Sequence, residues 1–75
     1  MPRSDTTILV IDDDHGLADA TAEVLRGAGF TVMLGHSAAE ALQLTRQHRP
    51  ALLLLDVNLP DGSGVEVAKQ LKADT

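Results

Sequence analysis

Four aspartates carry the chemistry available to this chain. Asp12, Asp13 and Asp14 stand together, and Asp56 ends an apolar run at 51–55. Carboxylates brought within a few ångströms of one another repel unless a cation intervenes. A hard divalent cation with oxygen ligands relieves that repulsion. Mg²⁺ in particular takes one or two carboxylates, keeps waters and accepts phosphate oxygens. With the metal present, one carboxylate can act as a nucleophile toward phosphorus, giving an aspartyl phosphate. The metal then neutralises charge on the transferring group. All of this requires Asp12, Asp13 and Asp56 side by side.

The elements that must position them are legible in the patterning. Residues 51–55, Ala followed by four Leu, are bounded by Pro50 and by Pro60, Asp61, Gly62 and Gly64. A short apolar run between turn signals predicts a strand buried on both faces, as in parallel sheets covered by helices. Residues 7–11, Thr-Ile-Leu-Val-Ile, form a second such run and also end in acid. Residues 30–34 make a weaker strand, and polar Thr31 suggests an edge position.

Between these runs the spacing turns helical. Over 16–28, Leu17, Ala20, Thr21, Val24, Leu25 and Ala28 predict one apolar face, with Asp14 as N-cap and Gly29 as the left-handed terminator. Ser37 and Glu40 predict a capping box for a helix over 37–47, with Ala38, Ala41, Leu42 and Thr45 inward; Pro50 stops it. A third helix over 63–72 is expected to turn Val65, Ala68 and Leu71 inward, with Val67 as a further candidate. Asp14 and Asp61 also fit plain capping or turn roles.

The order is βαβαβα. Such alternation implies right-handed crossovers, hence an α/β three-layer sandwich with a parallel sheet. The two fully apolar strands want central places and the weaker one an edge, giving strand order 2-1-3. That order brings the two acidic strand ends to one end of the sheet, where ligands of open α/β sheets bind.

Composition bounds the alternatives. The chain has 75 residues, enough for one small domain, and a formal charge of −5, which disfavours direct binding of nucleic acid or an anionic membrane by this segment. There is no cysteine to staple the fold and one aromatic residue, Phe30. No apolar run approaches the roughly 18 residues of a spanning helix. The N-terminal residues lack the apolar region of a signal peptide, so the expected location is cytoplasmic. A P-loop is excluded because no Gly precedes a Lys. His15 follows the acidic triplet and is read as an exposed loop residue near the pocket; His36 and His48 sit in a turn and at a helix end.

With these residues in place, the chain resembles the receiver domain of two-component response regulators over about 7–72. The resemblance rests on Ile8 through Asp14, on Leu52 to Asp56, and on Leu59, Pro60, Asp61, Gly62, Ser63 and Gly64. It implies the N-terminal part of a flavodoxin-like receiver and a phosphorelay role. Asp56 matches the phosphoryl acceptor. Asp13 matches the direct Mg²⁺ ligand, Asp12 a partner acting through water, and Asn58 the residue whose backbone carbonyl ligates the metal. Pro60 and Gly64 match the turn after the acceptor, where their role is shape. Haloacid-dehalogenase-like phosphatases also place an Asp nucleophile after an apolar strand, but they need a second Asp two residues on, where Asn58 stands.

The implied partner is a sensor histidine kinase or phosphotransfer protein. The implied activity is at most Mg²⁺-dependent self-phosphorylation and dephosphorylation. A complete receiver resembles this chain followed by two more strand–helix units, which bring a Ser or Thr and a Lys to the phosphoryl group. Lys69 and Lys72 both lie on the third helix, which runs away from the active end. A non-catalytic stub that binds only a metal or a partner is therefore the alternative. In order 2-1-3 the third strand is an unprotected apolar edge, so the 75 residues taken alone are expected to pair through it as a homodimer, exchange elements or aggregate.

Overall fold

The computed structural model describes residues 6–73; residues 1–5 and 74–75, counted above within the single domain, lie outside the described residues. Its elements run β1 (Thr7–Ile11), α1 (His15–Gly27), β2 (Thr31–Gly35), α2 (Ala38–His48), β3 (Leu52–Leu55), β4 (Asn58–Leu59), β5 (Gly62–Ser63) and α3 (Gly64–Ala73). The main sheet is parallel in the order β2-β1-β3, as expected. The helix and strand bounds differ from the sequence reading by a residue. The short antiparallel hairpin of β4 and β5, pairing Asn58 with Ser63 and Leu59 with Gly62, is an addition to it.

Alternation along β1 divides the core into two layers. Leu9 and Ile11 are fully buried and point to one face, where α2 and α3 bring Ala38, Ala41 and Val67, and β4 brings Leu59. Ile8 and Val10 point to the other, where α1 supplies Ala18 and Ala22 and β2 supplies Val32. The register sets Leu52 beside Ile8 and Leu54 beside Val10. These two leucines therefore share the α1 face, and both are exposed, Leu52 at 50% and Leu54 at 37%. β3 is thus covered on one face only, correcting the expectation of a strand buried on both. The reason is position: α1 packs on β2 and β1 and leaves β3 open.

The same lean corrects the helix faces. In α1 the covered stripe is Ala18, Ala22 and half-buried Leu25, while Leu17, Ala20, Val24 and Ala28 are exposed. The apolar arc of this helix is wider than the surface it meets, and small alanines permit the closest approach. In α3 the inward residues are Gly64, Val67 and Leu71; Val65 and Ala68 face solvent. Gly64 fixes that rotation. A Cβ there would run into the Asp56 carbonyl, and its N–H donates to the Val57 carbonyl at 2.8 Å. α2 turns Ala38 and Ala41 fully inward, with Leu42 and Thr45 half-buried, as its spacing predicts.

Helix termini follow local chemistry. Asp14 caps α1, its Oδ1 accepting from the Leu17 N–H at 3.0 Å, and Gly29 takes a positive φ of 100° just beyond the helix. Ser37 caps α2, accepting from the Glu40 N–H at 3.1 Å. Glu40 reaches back to the His36 N–H at 2.9 Å, one residue earlier than a standard capping box. Among the described residues, no helix is long and apolar enough to cross a membrane.

Candidate functional site

Two strand ends build the site. β1 delivers Asp12 and Asp13, β3 delivers Asp56, and the sheet holds them together. The Asp12 N–H donates to the Gly35 carbonyl at 3.1 Å, and the Asp56 N–H donates to the Ile11 carbonyl at 2.9 Å. Each of Asp12, Asp13 and Asp56 offers a carboxylate oxygen within 4.8 Å of the others. Asp12 and Asp56 are half-buried and Asp13 is exposed. Asp14 stands outside this cluster, occupied as the α1 cap.

Local bonds set the carboxylate directions. Asp12 Oδ1 accepts from the Asp14 N–H at 3.0 Å, closing the turn that carries Asp13. Asp56 Oδ1 accepts from the Asn58 N–H at 3.3 Å, the same turn chemistry two residues on. Gly64 lies against the Asp56 carbonyl, so the start of α3 buttresses the strand end. Three oxygen donors on two anchored strand ends fit a hard divalent cation such as Mg²⁺. An apolar groove lined by Val10, Leu17, Thr21, Leu54 and Leu55 leads up to Asp12 and Asp56 from the open face.

Two features near the site go beyond what the sequence showed. Asp61 caps α2 from across the loop: Oδ1 accepts from the Ala38 N–H at 2.6 Å and Oδ2 from the Ala39 N–H at 3.1 Å. These backbone donors hold its carboxyl below the usual carboxylate range. Its capping role was readable, but its partner helix, more than twenty residues away, was not. His36 is the second. Its Nδ1 lies 2.9 Å from the Asp12 carbonyl, and its ring stacks on His15 with centroids 3.7 Å apart and planes 11° from parallel. The signal available was topological, since the residue after β2 must lie beside the end of β1 in a parallel pair.

Comparison with known proteins agrees with this fold. The family profile described as "Response regulator receiver domain" matches residues 8–75. The DNA-binding response regulator MtrA of Mycolicibacterium smegmatis is 44% identical over 68 residues, covering 91% of this chain and 30% of MtrA. The response regulator TrrA of Thermotoga maritima, solved in complex with Mg²⁺-BeF, superposes with a TM-score of 0.89 at 28% identity, covering 93% of this chain and 61% of that one. TrrA solved in complex with the histidine kinase ThkA gives 0.88 at 28% identity, covering 93% and 60%. The chain therefore spans less than two thirds of each of these relatives.

Proposed function

Because the chain belongs to the response regulator receiver domain family, we propose that it accepts a phosphoryl group on Asp56 from a sensor histidine kinase or phosphotransfer protein. The observation that carries this reading is the convergence of Asp12, Asp13 and Asp56 from two strand ends. In the proposed step an Asp56 carboxylate oxygen attacks phosphorus. The P–N bond to the donor imidazole breaks, the acyl-phosphate P–O bond forms, and the imidazole leaves with its electron pair and takes up a proton.

The residues divide the work. The Asn58 N–H holds Asp56 Oδ1, so Oδ2 is the oxygen that would attack. Asp13 and Asp56, with the Asn58 backbone carbonyl, would hold Mg²⁺ directly, and Asp12 would act on it through water. When bound, Mg²⁺ supplies the positive charge that offsets three carboxylates and the transferring phosphoryl group. Gly64 keeps α3 close enough to brace Asp56 without a clash. Exchange with such a kinase would take place in the cytoplasm, the location expected for this chain. The formal charge of −5 argues against nucleic-acid contact by this segment, whatever an output domain in a longer chain does.

The open edge of β3 is proposed as a self-pairing surface. Two copies related by a two-fold axis would pair it antiparallel and extend the sheet, setting Leu52 and Leu54 beside their counterparts in the second copy.

Incubation with acetyl phosphate and Mg²⁺, followed by peptide mass spectrometry, tests the acceptor. The expected product is one adduct on Asp56, lost in base and in hydroxylamine. Mg²⁺ binding with no adduct would favour the non-catalytic stub.

A further inference from the structure

We propose that His36 is a positioning residue for the acidic loop. It holds the Asp12–Asp13 peptide through a hydrogen bond to the Asp12 carbonyl, and so sets where the Asp13 carboxylate stands. A carbonyl oxygen can only accept, so His36 Nδ1 carries the proton at this 2.9 Å contact. The same peptide unit continues into Asp13, whose exposed side chain receives no hydrogen bond among the described residues. Its placement therefore depends on the backbone that precedes it.

That backbone is tied at three points, all on Asp12. Its N–H donates to Gly35, its carbonyl accepts from His36, and its Oδ1 accepts from the Asp14 N–H. Two of the three come from the end of β2 and the residue after it. His36 is itself anchored, since its N–H donates to Glu40 Oε1 within the α2 cap. The stacked ring of His15, the first residue of α1, holds the His36 ring from the other side. The two near-parallel rings do not form a joint metal site: in-plane lone pairs on stacked rings with centroids 3.7 Å apart do not converge on one ion. The pair acts instead as a mechanical link from the α2 cap and the α1 start to Asp12.

The consequence for metal binding rests on the phosphoacceptor reading; the link itself does not. Two substitutions separate its parts. His36→Asn keeps a donor near the Nδ1 position and loses the ring, whereas His36→Phe keeps the stack and loses the donor. In the metal-free protein, ¹⁵N NMR at about pH 8, above the ordinary histidine range, should show an Nδ1-protonated His36. His36→Phe should shift the Asp13 and Asp14 amide resonances, and His36→Asn should largely restore them. In Mg²⁺ titration, His36→Phe should weaken binding about tenfold, the scale of lost outer-shell support, with His36→Asn close to the parent and the urea midpoints of the two variants alike. An Nε2-protonated His36, or unchanged Asp13 and Asp14 amides in His36→Phe, would overturn the link. A parent that shows the NMR signature but binds no Mg²⁺ would sink the phosphoacceptor reading and leave the link standing.

Discussion

The two faces of the sheet are built from alternate residues of the same strands and end up differently finished. On one face, Leu9 and Ile11 disappear under α2, α3 and Leu59. On the other, Ile8 and Val10 are covered by α1 beside Val32 of β2, but the same layer runs out over Leu52 and Leu54 into solvent. Leu17 and Val24, at 54% and 73% exposure, stand along the uncovered flank of α1. The acidic end of the sheet sits where the two faces meet: Asp56 is braced from the closed face by Gly64 and bordered on the open face by Leu17 and Leu54. Support for the site and access to it thus come from opposite sides of one strand.

The largest expected effect breaks the closed face. Leu9→Ala removes a fully buried side chain and should cost about 2–5 kcal/mol in urea unfolding. Leu54→Ala, on the open face, should cost about 1 kcal/mol. Equal costs would mean that β3 is covered in solution on both faces.

Next comes the open edge. Leu52→Lys combined with Leu54→Lys should abolish concentration-dependent association in light scattering while leaving the far-ultraviolet circular dichroism intact. Association that persists in the double variant would place the contact elsewhere.

A subtler difference concerns Asp61, which stitches the loop after β3 to α2. Its carboxyl is held below the ordinary range in the fold. The stabilisation is therefore present above the unfolded value, about 3.9, and is lost as pH falls through the lowered folded value. Unfolding midpoints followed from neutral to strongly acidic pH should fall less steeply in Asp61→Asn than in the parent. Parallel curves would show that the cap contributes no acid sensitivity.

The smallest distinction lies within the acidic triplet. Asp13→Asn should weaken Mg²⁺ binding more than Asp14→Asn, because Asp14 is engaged at the α1 cap. Equal weakening in calorimetric titration would reassign the ligands.

What could be read in the sequence follows the same division. Strand order and the meeting of Asp12, Asp13 and Asp56 were legible because they depend on apolar runs ending in acid and on handed crossovers. The Ser37 and Asp14 caps were legible because capping is local. Helix rotation was not. In α1 an apolar arc broad enough for two neighbours says nothing about which part is covered, and the covered part proved to be the alanines. In α3 a single close approach at Gly64, invisible to periodicity, chose Val67 over Val65. The His36 bond and the reach of Asp61 to α2 join residues distant in sequence, so they emerge only once β2 is seated against β1 and the hairpin has formed.

The most direct test of Asp56 as the acceptor compares the parent with Asp56→Asn under acetyl phosphate and Mg²⁺, locating any adduct by peptide mass spectrometry. An amide cannot attack phosphorus as a carboxylate does. The expected result is an adduct on Asp56 in the parent and none in the variant. An adduct that survives the substitution and maps to Asp12 or Asp13 would contradict it.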